Sequence, residues 1–203
     1  MRISARRGVC GSAAALGLLV LSALSAPAEQ PGPLESAPQN ETDAVVRTPE
    51  EVIEGWPERP RVAARALIAE YGEPDIVDED ELRWVGKRPW DETAVRREAP
   101  EGETVKQSIH YPAARGKLDA LSRLGARLEF DESSGELASL SDSENFNFLA
   151  LNAADAVVSG KRSVEEAAAL YRRTRELSAS GKSSPDTRGF LFPRGPAVIG
   201  APK

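Results

Sequence analysis

Sulfur and imidazole are scarce in this chain: its 203 residues include one cysteine, Cys10, and one histidine, His110. Cys10 falls inside an N-terminal stretch with the pattern of a secretory leader. The mature protein is therefore expected to have no thiol, which excludes disulfides, a cysteine nucleophile and a cysteine metal site. His110 sits on the polar phase of an expected strand. One imidazole does not make a typical zinc site without several carboxylate partners, so a solvated or cross-strand-paired side chain is expected there. No metal and no cofactor are expected.

Long apolar runs are also lacking, with one exception. Arg2, Arg6 and Arg7 precede an apolar run from Ala13 to Leu24, followed by the small residues Ser25, Ala26, Pro27 and Ala28. This order predicts a signal peptide over residues 1–28, cleaved after Ala28. The run falls short of the roughly 20 residues a membrane-spanning helix needs. The pair Arg6-Arg7 leaves the general and twin-arginine export routes both open. The expected destination is the periplasm or the exterior.

Basic residues are outnumbered, 26 against 32 acidic ones. Losing Arg2, Arg6 and Arg7 leaves 23 against 32, a net charge of about −9. That sign argues against nucleic acid and anionic membrane surfaces as partners. An unknown envelope protein or a small neutral or cationic ligand is expected instead, with the oligomeric state open.

The mature chain divides by composition. Residues 29–47 hold Pro31, Pro33 and Pro38 among polar residues and read as a flexible linker. Residues 178–203 carry Gly181, Pro185, Gly189, Pro193, Gly195, Pro196 and Pro202, and read as a disordered tail. A single domain is expected over 48–177.

Within it, Thr48-Pro49-Glu50-Glu51 caps a short helix that Gly55-Trp56-Pro57 ends. A second helix runs from Glu58 to a left-handed cap at Gly72. Strands are expected at Leu82 to Val85, Thr93 to Arg97 and Val105 to Tyr111, the last from its strict alternation. Leu118, Leu121 and Leu124 space as a short helix. Leu128 and Phe130 pair with Leu137 and Leu140 around a turn at 131–135. Capping boxes at Ser141/Glu144 and Ser163/Glu166 open two further helices. The expected class is α+β: an antiparallel sheet of about five strands with helices packed on it, in the order α-α-β-β-β-α-β-β-α-α.

Several blocks, namely Gly55-Trp56-Pro57, Tyr71-Gly72-Glu73-Pro74, Leu82 with Trp84 and Pro89-Trp90, Asn147 to Asn152 and Gly160 to Ala167, resemble those of a family of small bacterial proteins, many uncharacterised and often exported. The resemblance covers about residues 48–175 and implies an address and a fold, with no catalytic role. Asp91-Glu92 stands where that pattern has basic residues, and Ser141-Asp142-Ser143 where it has a cysteine-aspartate pair. A looser similarity, a helix ending at Tyr71-Gly72-Glu73-Pro74 before tryptophan-bearing strands, links the chain to small outer-membrane assembly lipoproteins of the BamE type, whose lipid-bearing cysteine it lacks.

No catalytic constellation stands out. The acidic run Asp75, Asp78, Glu79, Asp80, Glu81 lacks the alternation and central glycine of a calcium loop. No glycine-flanked serine follows a strand. Gly160-Lys161-Arg162-Ser163 and Gly181-Lys182-Ser183 follow helices and lack the first glycine of a phosphate loop. Two ligand-like features remain. Trp56, Trp84 and Trp90 are a candidate stacking surface if exposed, and core if buried. Phe148, Asn152 and Asp155, with Asn145, share one side of a helix and either line a groove or bond to neighbouring loops. The leading expectation is a non-catalytic envelope binding or accessory module. The alternative is a carboxylate-dependent hydrolase of cell-wall or glycan material, which needs two carboxyls within about 10 Å across a cleft, one with a raised pKa.

Overall fold

The computed structural model describes residues 47–194. The expected leader, nearly all of the expected linker and residues 195–203 lie outside the described residues.

Two short helices open the domain. Helix α1 (Pro49–Glu54) carries the full capping box: Glu51 N donates to Thr48 Oγ1 at 3.3 Å and Thr48 N to Glu51 Oε2 at 2.8 Å. Helix α2 (Glu58–Tyr71) stops at Gly72, whose φ of 79° is positive as expected, but whose ψ of −163° places it beyond the left-handed helical region. That combination is open essentially to glycine alone. It leaves the Gly72 carbonyl to accept the Trp84 indole N–H at 2.9 Å.

Six strands follow, all antiparallel to their neighbours: β1 (Ile76–Val77), β2 (Glu81–Val85), β3 (Glu92–Arg96), β4 (Val105–His110), β5 (Arg127–Asp131) and β6 (Glu136–Ser141), in the sheet order β1-β2-β3-β4-β6-β5. The expected five strands become six because β1 has two residues, too few for any periodicity to register. Between β4 and β5 the chain makes a 3-10 turn at Pro112–Ala114, helix α3 (Leu118–Leu121) and a second 3-10 turn at Ser122–Leu124. Leu121 and Leu124 are fully buried, while Leu118 is exposed.

Strand alternation sorts the sheet into two faces. Leu82, Trp84, Val95, Val105, Ile109 and Leu137 are buried on the face that carries the helices. The opposite face is a lattice of charge: Glu81 binds Arg83 and Arg96, Arg83 reaches Glu92 at 3.9 Å, and Lys106 meets Glu129 at 3.0 Å. His110 pairs in register with Glu136 across β4 and β6, at the edge of that lattice.

Helix α4 (Glu144–Val158) is the centre of the domain, and every residue from Asn147 to Asp155 is buried. A helix covered on all sides has no single apolar stripe to read. The Ser141/Glu144 capping box does not form. Ser141 still belongs to β6, where its Oγ donates to Ser143 O at 2.7 Å, and Ser143 is the N-cap without a side-chain bond. The Ser163/Glu166 box does form and opens helix α5 (Val164–Ala179), which packs Tyr171 against Leu149 and Ala150 of α4.

The largest departure lies beyond α5. Residues 180–194 were expected within a disordered tail, yet they turn back through a 3-10 turn at Pro185–Thr187 and bury Phe192 in the main core. Proline and glycine mark this stretch in the sequence, but burial of its phenylalanines, the Asn152 bonds to its backbone and the Asp91–Arg194 pair together favour its ordering.

Candidate recognition groove on the central helix

The three tryptophans are all buried, at 3, 0 and 1% exposure for Trp56, Trp84 and Trp90, and do not form a solvent-facing cluster. Trp56 and Trp84 belong to one core cluster, with Ile53, Leu67 and Val95, and Trp90 to another. Each indole N–H has an internal acceptor. Trp56 donates to Glu79 O at 2.9 Å, Trp84 to Gly72 O, and Trp90 to Glu144 Oε1 at 2.8 Å. The stacking-surface expectation for Trp56 and Trp84 is thereby corrected: both are packing residues, because the turns beside them supply the acceptors that permit full burial.

Trp90 is different, since it helps build a groove. Its ring lies 4.7 Å from that of Phe148 on α4, centroid to centroid. Tyr111, at the end of β4, forms the far wall, and its hydroxyl donates to Asp155 Oδ1 at 2.7 Å. The other oxygen of Asp155 takes Lys161 Nζ at 2.9 Å. Burial, together with the Asp155 carboxylate, holds the Tyr111 phenol well above its ordinary pKa. Asp155 is thus spent on positioning Tyr111 and binding Lys161, and does not face a ligand directly. Asn145 is exposed and stands apart from the groove.

Residues 184–194 fill this groove. Asn152 uses both sides of its amide on their backbone: Nδ2 donates to Asp186 O at 2.9 Å and Gly189 O at 2.8 Å, and Oδ1 accepts from Leu191 N at 2.9 Å. Phe190 meets Trp90 at 4.9 Å and Phe148 at 5.0 Å, both edge to face, and Phe192 meets Tyr111 at 5.4 Å. Leu191 between them points out and is 58% exposed. Arg194 ends the strap: its Nη2 donates to Asp91 Oδ2 at 2.8 Å, an oxygen that also accepts His110 N at 2.6 Å. Among the described residues, Asp91 Oδ1 and Arg194 Nη1 have no hydrogen-bond partner.

Behind the groove, Glu144 joins three elements through one oxygen. Its Oε1 accepts from Trp90 Nε1 and, at 2.7 Å, from Tyr71 OH at the end of α2. Burial and then the Glu144 carboxylate raise the Tyr71 phenol strongly. Deeper in, Asn147 donates to Val105 O at 3.1 Å and Gln107 Oε1 at 3.0 Å, a fully buried amide pair.

Phe148, Asn152 and Asp155, grouped on one helix side by sequence, are therefore brought together with Trp90, and Trp56 and Trp84 are not. Sequence reasoning missed Asp91, Tyr111, Phe190, Phe192 and Arg194. The spacing Phe190-Leu191-Phe192 was the available signal, an in-out-in alternation set inside a proline- and glycine-rich stretch.

The acidic run does not converge on a cation. Val85 N donates to Asp75 Oδ2 at 2.8 Å, Asp80 pairs with Arg97 and Glu81 with Arg83 and Arg96. No group of three or more metal-capable side chains exists among the described residues. Nor does any helix among them have the length and apolarity to cross a membrane.

A separate cavity of about 200 Å³ lies between α2 and the start of α4, where Glu70, Asp142 and Glu144 are its carboxylates. On the charged sheet face, burial pushes the Glu92 carboxyl upward.

No protein-family model matches the chain, and neither the curated proteins nor the solved structures yield a match.

Proposed function

We propose that this chain is an exported, non-catalytic binding or accessory module of the bacterial cell envelope, acting on a neutral or cationic partner. The observation that carries the proposal is the occupant of the α4 groove. The place where Trp90, Tyr111, Phe148 and Asn152 converge holds a stretch of polypeptide, gripped by main-chain hydrogen bonds and aromatic contacts. Asn152 thus holds the main chain of the segment while its side chains stack on the groove aromatics, contacts that suit a polypeptide as ligand. The leader pattern of residues 1–28, the acidic mature composition and the resemblance to small exported bacterial proteins support the same assignment.

The alternative of a carboxylate-dependent hydrolase requires one cleft to supply both a close carboxyl pair and a raised pKa. The carboxylates that line the cavity beside α2 are Glu70, Asp142 and Glu144, and turnover decides between the two readings. Affinity capture from envelope extract with the tagged protein tests the proposal, alongside turnover assays on wall and glycan substrates. The expected result is a retained partner and no turnover. Turnover with no retained partner would transfer the assignment to the hydrolase.

A further inference from the structure

Independently of the occupied α4 groove, we propose that the cavity between α2 and the start of α4 is a binding site for an alkylammonium group, a primary ammonium carried on a short apolar chain.

The cavity exists because α2 is thinly clad where it passes the junction of β6 and α4. Ala63 and Ala66 offer single methyl groups there, and with Leu67 and Val105 they make the apolar wall of a space of about 200 Å³. That volume suits a ligand smaller than a drug-sized one, whose pockets run to roughly 300–1,000 Å³. Ala63, Ala66 and Asp142 also line an open trough along α2, where Val62 is 58% exposed.

The remaining wall is made of acceptors. Glu70, Asp142 and Glu144 bring carboxylates to it. Glu144 uses Oε1 on two neutral donors, Tyr71 and Trp90, and Asp142 Oδ1 accepts Thr104 Oγ1 at 3.1 Å. On the sheet face, Glu81, Glu92 and Glu129 each lie beside an arginine or lysine. Among the described residues, no cation answers Glu70, Asp142 or Glu144 in this way. Arg59, in the trough, is engaged with Glu101 at 3.2 Å.

A buried amide adds one more acceptor. Asn147 lies one turn beyond Ser143 and Glu144 on the same side of α4. Its N–H donates to Ser143 O at 3.2 Å and its Nδ2 to Val105 O at 3.1 Å, so it is held by residues of the cavity lining. It is 0% exposed, and its Oδ1 has no partner among the described residues.

A wall of acceptors calls for a ligand that only donates, and the alanine wall calls for carbon beside the charge. A primary ammonium on an alkyl chain supplies both. A bare divalent metal needs several oxygens within about 2.0–2.6 Å. No group of three metal-capable side chains exists among the described residues. The ammonium of a small free amine and that of a partner protein's lysine share this chemistry.

The test is calorimetric titration of the full chain with hexylammonium chloride. Saturable binding is expected, with hexanol, equal in length and uncharged, weaker by roughly tenfold or more. Glu144→Gln keeps an acceptor for Tyr71 and Trp90 while removing the charge, and is expected to weaken hexylammonium by roughly the same factor. Ala66→Leu, at an exposed helical position, fills the space with charge unaltered and is expected to weaken binding as much. In heteronuclear NMR spectra, hexylammonium should move the indole N–H resonance of Trp90, which is bonded to Glu144, and leave that of Trp56, bonded to Glu79 O, in place. The dispersion of the same spectra reports whether each variant is folded, and Ala66→Leu carries the test if Glu144→Gln does not fold.

Absence of saturable binding, or hexanol binding as tightly as hexylammonium, would overturn the inference. Unchanged affinity in Ala66→Leu would overturn it too, by reducing the effect to attraction toward surface charge. Nα-acetyl-lysine N-methylamide separates the two sources. Tighter binding than hexylammonium assigns the ammonium to a lysine side chain of a partner protein, and weaker binding assigns it to a small free amine.

Discussion

The two tryptophan-bearing halves of the core are closed by different means. Around Trp56 and Trp84, the indole N–H groups end on backbone carbonyls of nearby turns, 23 and 12 residues away in sequence. Around Trp90, the acceptor is the Glu144 side chain, 54 residues away, and the lid is the strap, whose Arg194 meets Asp91 across 103 residues. In the first half the indole acceptors lie on turns near in sequence. The second is finished by a segment that reaches it from far along the chain, and such closures are the natural place for local opening.

Substitutions separate the halves. The largest effect is expected from Trp84→Ala, which leaves a ring-sized void in the first half and the Gly72 carbonyl without its donor. A loss of about 3–5 kcal/mol is expected, read as a lower urea midpoint with cooperative unfolding retained. Asn152→Ala comes next, at about 2–3 kcal/mol, because three backbone groups of the strap lose their partners. Hydrogen exchange should show Leu191 N–H deprotected while the amides of β3 and β4 stay protected. Equal deprotection of both would dissolve the distinction between the first half and the lidded one.

The smallest effect tests the sheet face that belongs to neither half. Burial raises the Glu92 pKa, with Arg83 only partly offsetting it. For Glu81 burial also pushes upward, but hydrogen bonds from Arg96 and Arg83 outweigh it and the net shift is downward. The signs of linkage are opposite. Glu92 favours the folded state below its unfolded pKa and loses that contribution as pH rises through its folded value. Glu81 contributes above its unfolded pKa and loses its contribution as pH falls through its folded value. Thermal melts at pH 4 and pH 7 should therefore show Glu92→Gln raising stability at pH 7, and Glu81→Gln lowering it. Solvent screening keeps both below about 1 kcal/mol.

Where a signal was local, the sequence disclosed the structure. Thr48 with Glu51, Ser163 with Glu166, the glycine stop at Gly72 and the alternation of β4 depend on residues within one turn or one strand of each other. The α+β class and the hairpin at 131–135 followed from them. Ser141 misled because a serine three residues before an acid makes a capping box only if the strand has already ended, and β6 runs through Ser141. The acid it would have used, Glu144, is drawn instead to Tyr71 and Trp90, a choice fixed by tertiary placement. Residues 184–194 were obscured for the same reason. Proline and glycine there describe the turns, while what orders the segment is a set of contacts with residues 34 to 103 positions earlier.

The span of the Asp91–Arg194 bond also sets an order of events. A chain is made N-terminus first, so Trp90, Tyr111 and Phe148 are in place before the residues that cover them, and this half of the core closes last.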